Sequence, residues 1–225
     1  LHQAARRQSS ASIARLLLDH GADPSLPNRG HTPYALARVH GNQPMARVLE
    51  EAGAATPLTA AEASIATAVD GTAGPADWIR MEALTDELRL TLCRMVWRPG
   101  TLEAMKRLVA LGFDANQADE MGLPPVHLAG WEGLSDKFAW LMSLGPDMAH
   151  VNGYGGTLFS TILHGSENCP ARAERDHLAC MRLALEHGVA IPKDAIQGAV
   201  DDEMGAFLAE WAEARPGQVV EDGVW

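Results

Sequence analysis

The 225-residue chain is short of cysteine, of aromatic side chains and of positive charge, and it contains no long apolar run. Its three cysteines, Cys93, Cys169 and Cys180, are odd in number and widely spaced, which argues against a disulfide framework. Free thiols suit a reducing compartment, so a cytoplasmic location is expected. No stretch reaches the ~18 apolar residues of a bilayer-crossing helix, and membrane insertion is not expected. Lys and Arg total 18 against 29 Asp and Glu, giving a formal net charge of -11. Such a chain is repelled by phosphate backbones, so no nucleic-acid partner is expected, and a basic or neutral partner surface fits better. The chain opens at Leu1, without Met, inside a repeated motif. Further sequence is expected ahead of it, and a removed leader stays open.

What is present is apolar material at helical spacing. Hydrophobic residues make up 47% of the chain, enough for a sizeable core. Ile13–Asp23, Met105–Asp114, the run ending Leu141–Asp147 and Leu183–Val189 each read as an amphipathic helix. Each closes on a Gly suited to a left-handed C-cap. Gly21 to Gly53 is 32 residues and Gly112 to Gly145 is 33. Shorter helices precede these, opened by Thr32-Pro33, Thr56-Pro57 or Pro124-Pro125. Pro in a first turn sacrifices no hydrogen bond, and a preceding Thr can cap.

A helix pair repeating at about 33 residues resembles the ankyrin-repeat family. Leu123-Pro124-Pro125-Val126-His127-Leu128-Ala129-Gly130-Trp131-Glu132-Gly133 is the best copy of its first-helix motif. The second half is similar to ankyrin proteins common in bacteria, through Tyr154-Gly155-Gly156-Thr157 and His164-Gly165-Ser166. The resemblance implies an all-α solenoid of about six helix-turn-helix units with a C-terminal capping helix. The units are placed at 1–28, 31–54, 56–84, 85–117, 121–150 and 154–190, with a closing helix or pair at 192–214. Units one to three form one region, 1–84. Units four to six and the cap form another, 85–214, and 215–225 is expected to be a loose tail. Glu203, Glu210 and Glu213 opposite Met204, Phe207, Leu208 and Trp211 suit a capping helix.

Three places break the period. Gly53 is followed almost at once by Thr56-Pro57, so a hairpin is short or missing there. Gly53 to Gly112 is 59 residues, fewer than two full units, and the third unit therefore reads as degenerate. Asp70–Asp77 falls inside it as a turn or loop. Gly145 to Gly188 is 43 residues, with the excess between His164 and Asp176. Insertions in repeat proteins gather in loops on one face, often the binding face.

The ankyrin resemblance implies a concave face made of hairpin tips and the exposed side of each first helix. Aligned units put Arg6, Val39, Trp131 and His164 in one column, with Trp97 near it. Aromatic side chains at such positions are frequent hot spots. Tips add Asn28, Arg29 and His31, then Asp119, Glu120 and Met121, then Asn152 and Tyr154. The expected partner-binding set is Trp97, Asp119, Glu120, Met121, Trp131, Glu132, Tyr154, His164, Glu167 and Asn168. His2 and His127 occupy a slot where the family uses imidazole to bond a neighbouring turn.

Two rival chemistries are weighed. His164, Cys169, His177 and Cys180 lie close in sequence and could complete a tetrahedral zinc site, but the spacing matches no recognised finger. Cys180 also fills an apolar repeat slot, where a buried thiol is ordinary. His164 with Glu132 or Glu167 could form an acid–base pair beside Trp131. No phosphate loop, nucleophile elbow or paired-carboxylate pattern accompanies it, so no catalytic residues, metal or cofactor are assigned. The expected function is protein binding on the concave face of units four to six. The alternative is a small-molecule or metal site, catalytic in the extreme case, between units five and six.

Overall fold

The computed structural model describes residues 1–72, 78–198 and 202–221, with the backbone alone at 197, 198 and 202. The described residues are largely helical, as the apolar spacing predicts. They fall into two compact units, Leu1–Asp114 and Ala115–Trp225. The division expected after residue 84 falls inside the first of these.

Unit 1 begins with two helix pairs, α1 (His2–Arg6) with α2 (Ala11–Asp19), and α3 (Pro33–Val39) with α4 (Gln43–Glu51). Local chemistry sets their ends. Ser10, Thr32 and Asn42 cap α2, α3 and α4 by accepting from backbone N–H groups, and Pro33 sits in the first turn of α3. Gly21 and Gly53 close the second helices with φ of 80° and 71°. Helices α1, α3 and α5 (Ala60–Asp70) lie side by side in an inner layer, and α2 and α4 form an outer one. Leu36, Met45 and Leu49 are fully buried between the layers. Burial of each such side chain contributes about 2 kcal/mol.

The third pair departs from expectation. Helix α5 does not start at Thr56-Pro57: the Thr56 hydroxyl instead bonds that of Thr32 at 2.7 Å. Thr59 caps α5 in a reciprocal box with Glu62. Its partner is α8 (Leu102–Ala110), whose Arg107 donates to the Ala68 and Val69 carbonyls at the end of α5. The residues expected as units three and four therefore form one helix pair. Residues 71–101 separate its helices, where residues 40–42 separate α3 from α4. The insert carries α6 (Asp86–Arg89) and α7 (Thr91–Val96). Of the loop expected at Asp70–Asp77, residues 73–77 lie outside the described residues.

Unit 2 holds the pairs α9 (Pro125–Trp131) with α10 (Ser135–Ser143) and α11 (Leu158–Asn168) with α12 (His177–Glu186). Helices α9 and α11 make its inner layer, α10 and α12 its outer one. Then follow β1 (Ile191–Pro192), α13 (Lys193–Gly198), α14 (Asp202–Ala214) and β2 (Val219–Val220). Met204, Leu208 and Trp211 of α14 are buried, and Glu203, Glu210 and Glu213 are exposed. The Arg182 guanidinium lies over the Phe207 ring, 4.6 Å from its centroid. The tail expected to be loose is tied down as far as residue 220: β2 pairs in parallel with β1. Gln218 donates to the Leu185 and Val189 carbonyls, both at 2.7 Å, and accepts from the Trp211 indole. One amide making three bonds gives no periodic signal. Residues 222–225 lie outside the described residues. No helix among the described residues is long and apolar enough to cross a membrane.

Candidate functional site

The inner layer of unit 2 brings together five of the ten expected binding residues, Trp131, Glu132, His164, Glu167 and Asn168. Trp131 ends α9 and His164 lies in α11. A Cβ at Gly165 would stand 2.4 Å from the Trp131 carbonyl oxygen, so glycine there lets α11 approach α9 closely. The Trp131 and His164 rings then pack with centroids 5.3 Å apart, tilted by 48°. The His177 Nε2 donates to the Trp131 carbonyl at 2.9 Å and holds the end of α9. Glu132 follows, with its carboxylate 3.8 Å from the Cys169 sulfur. Asn168 donates to the His164 ring at 2.9 Å and to its carbonyl at 3.1 Å. His164 and Asn168 are exposed, and Trp131, Glu132 and Glu167 are half-buried. The excess expected as a loop after His164 instead lengthens α11 to Asn168 and adds a 3-10 turn at Arg172–Glu174.

The hairpin tips of unit 2 form a second cluster. The Asp119 carboxylate accepts from the Met121 and Leu123 N–H groups, both at 2.9 Å. The Asn152 side chain does the same for Tyr154 and Gly156, and also donates to Thr161. Gly153 donates to the Met121 carbonyl at 2.9 Å, where a Cβ at Gly153 would collide with that oxygen. These bonds stack the tips and leave Glu120, Met121 and Tyr154 exposed, Tyr154 at 74%. The Tyr154 hydroxyl donates to the Met121 sulfur at 2.8 Å. Asp119 and Asn152 hold turns, whereas Glu120, Met121 and Tyr154 are exposed at the tips.

At the histidine slot His2 bonds a neighbouring turn, as the resemblance implies, whereas His127 bonds a helix, through Thr161 of α11. The His2 ring donates to the His31 carbonyl at 3.2 Å. His127 is fully buried, and its Nδ1 donates to the Thr161 hydroxyl at 3.2 Å, since that hydroxyl spends its own proton on the Thr157 carbonyl. Its Nε2 has no partner among the described residues. Burial, and then the neighbouring His150, push the His127 pKa down to about 4, so the ring is neutral at pH 7.

The four candidate zinc ligands do not converge. His164 faces Trp131 and Asn168, Cys169 faces Glu132, and His177 is spent on the Trp131 carbonyl. Cys180 is buried, and burial followed by Asp176 and Asp136 pushes its thiol up to about 12. Among the described residues no group of three or more His, Cys, Asp or Glu is placed to hold a metal ion.

The matching face of unit 1 is covered. Leu36 and Val39 of α3 occupy the positions of Leu128 and Trp131 in α9, and both are 0% exposed. His31, expected at a tip, is buried: its ring bonds Glu62 at 2.6 Å and the Thr85 hydroxyl at 2.7 Å. Glu87, in α6, sits among the Arg6 guanidinium at 2.7 Å, that of Arg94, and the His40 ring at 3.7 Å. Hydrogen bonds from His40 and Arg6, with the Arg94 charge, outweigh burial and hold the Glu87 carboxyl far below the usual range. Burial dominates at His40 and pushes its pKa down to about 4. Arg98 donates to the His40 carbonyl and, at 2.8 Å, to the Arg6 carbonyl. The expected column residue Trp97 stands at the end of this insert, 41% exposed, beside Arg98. With His40, Asp70 and Arg107 these two line a cleft of about 790 Å³. Glu87, His40 and Arg98 were not legible as site residues. The available signal was the lack of a Gly-closed second helix after α5.

Comparison with known proteins agrees with the helix pairs. The model of the ankyrin repeat matches residues 1–29. Over 56 residues the chain is 43% identical to protein phosphatase 1 regulatory subunit 27 of Homo sapiens and to that of Mus musculus. The match covers 25% of this chain and 36% of each relative.

Proposed function

We propose that this chain, an ankyrin-repeat protein, is a protein-interaction module that takes its partner on the inner face and hairpin tips of unit 2. The observation that carries the reading is the exposure of His164, Met121 and Tyr154 beside a half-buried Trp131, whose counterpart in unit 1, Val39, is fully buried. Rigid aromatic rings on a fixed frame contribute contact area at small entropic cost. The relatives are named as regulatory subunits of a phosphatase, and a regulatory subunit acts by binding another protein. That name supports protein binding in general; the phosphatase itself is not carried over to this chain. Glu120, Glu132 and Glu167 around the rings, with the net charge of -11, favour a basic or neutral partner surface.

Affinity capture with quantitative mass spectrometry tests this reading. A partner held by the wild-type chain is lost with Trp131→Ala, His164→Ala and Tyr154→Ala. It is kept with Ala139→Arg on the exposed side of α10. If the three inner-face variants retain the partner and Ala139→Arg loses it, the site lies on the outer helices instead.

A further inference from the structure

The insert 78–101 does not extend the stack; it lies over the inner layer of unit 1. It is anchored both to α8, by α7 packing on that helix and by the Ile79 N–H donating to the Leu111 carbonyl, and to the inner helices or their ends. Thr85 bonds His31 just ahead of α3, Glu87 bonds Arg6 of α1, and Arg98 bonds the carbonyls of Arg6 and His40. Leu84, Leu88, Leu92, Met95 and Val96 of the insert are buried. The insert thus binds as a foreign segment would, with an apolar stripe, a carboxylate set on a guanidinium, and a guanidinium set on two helix-end carbonyls. The last contact matches a cation to the negative ends of α1 and α3.

The contact is incompletely satisfied. Glu87 Oε2 and His40 Nδ1 are buried and without a partner among the described residues. A buried polar atom left unmatched weakens the contact that buries it. The insert joins α8 by its own covalent path, and α5 packs on α8 directly, so release of the insert gives up the packing of α7 on α8 and leaves the α5–α8 pair in place. It has the features of an internal ligand: recognisable chemistry, imperfect fit and tethered ends.

We infer that residues 78–101 are an autoinhibitory strap, and that the inner face of unit 1 beneath it binds a partner protein segment presenting a carboxylate and a guanidinium as Glu87 and Arg98 do. Such a segment competes with the strap for Arg6 and for the carbonyls of Arg6 and His40. This second surface stands independently of the one on unit 2.

Hydrogen exchange on the wild-type chain gives the first test. The strap amides of 84–96 open together, at least tenfold more often than those of α3 and α4. Exchange of 84–96 only together with α3 and α4 makes the strap an ordinary part of the core and overturns the inference. Binding of a fluorescent synthetic peptide of residues 84–100, under reducing conditions, gives the second. It binds the Glu87→Gln chain at least tenfold more tightly than the wild type, because the weakened strap yields its place. The same peptide carrying Glu87→Gln binds neither. Arg98→Ala, which alters the strap and leaves the repeats intact, repeats the comparison if Glu87→Gln fails to fold. Equal affinity for wild-type and folded variant chains, or no binding to a folded variant, overturns the inference.

Discussion

Two helices show how one framework yields two different surfaces. In α3, Leu36 and Val39 are wholly buried; in α9, Leu128 and Trp131, at the same positions, are half-buried. Both helices begin on a Pro in the first turn and both pack against a second helix. Leu36 is buried between the layers with Met45 and Leu49, and α3 has an inner-layer helix on either side, α1 and α5. In unit 2, α9 packs in its inner layer against α11. The exposure of a repeat helix is therefore set by its neighbours as much as by its own residues.

Removing the strap's carboxylate breaks the comparison most strongly. Glu87→Ala leaves the Arg6 and Arg94 guanidinium groups without the anion they enclose. Truncating one member of a buried ionic cluster costs about 4 kcal/mol. Chemical denaturation detects the loss, and hydrogen exchange locates it in unit 1 while unit 2 keeps its protection. A loss spread evenly over both units contradicts the assignment of Glu87 to a local latch.

Truncating the paired leucines sharpens the contrast directly. Leu36→Ala creates a cavity between the two helix layers and costs about 3 kcal/mol. Leu128→Ala removes a side chain already in contact with water and costs about 1 kcal/mol. Equal losses in thermal or urea denaturation mean that the two positions are equally buried.

These residues also show what the sequence made legible. Gly21, Gly53, Gly112, Gly145 and Gly188 all take positive φ at helix ends, as the repeat spacing predicts. Each is a local signal: a left-handed residue after a helix needs Gly whatever lies beyond it. Which helices pair is not local. The residues of α6 and α7 carry their own cap at Thr85 and an apolar stripe through Leu88, Leu92 and Val96. They therefore read as the first helix of a fourth unit, and α8 as its second. Only packing assigns α8 to α5, through Arg107 on the carbonyls of Ala68 and Val69. At the candidate site, Trp131, His164 and Tyr154 stood out because large aromatic groups at repeat-surface positions are conspicuous. Glu87 and Arg98 did not, since charged residues on a short helix ordinarily mean a solvated face. His177 entered the sequence reading only as a metal candidate, because a hydrogen bond to the backbone carbonyl of Trp131 carries no residue-type signal.

Acidification probes the two units together. His40 in unit 1 and His127 in unit 2 both have pKa values pushed down to about 4 by burial. Each binds a proton more readily unfolded than folded, so stability rises with pH between about 4 and the ordinary 6.5. It is lost as pH falls through that window. Between pH 7 and pH 5 each ring contributes a loss of about 2 kcal/mol. Glu87, held below the usual carboxylate range, adds its loss only at lower pH, once carboxyl groups of the unfolded chain protonate. Urea titrations at pH 7, 6 and 5 measure the first effect. His127→Asn removes about half of the pH dependence and leaves the opening of unit 1 as it was. If it removes all of it, His40 is solvated and the strap does not seal the face.

The smallest effect on stability falls at Tyr154. Its ring is 74% exposed, and its one described side-chain contact is the bond to the Met121 sulfur. Tyr154→Ala therefore changes folding stability by less than about 0.5 kcal/mol. Its backbone N–H, which donates to Asn152, survives the substitution, so the hairpin tip keeps its turn. Binding should respond quite differently. An exposed ring on a rigid tip, next to Met121 and ahead of the Trp131–His164 pair in the chain, has contact area to lose only when a partner is present. We expect at least a tenfold loss of partner affinity for Tyr154→Ala by titration calorimetry with the captured partner, at unchanged melting temperature. Arg29→Ala, at the corresponding tip of unit 1, leaves affinity within about twofold, because the face behind that tip is already filled by the strap. Loss of affinity at Arg29 with none at Tyr154 would reverse the roles of the two units.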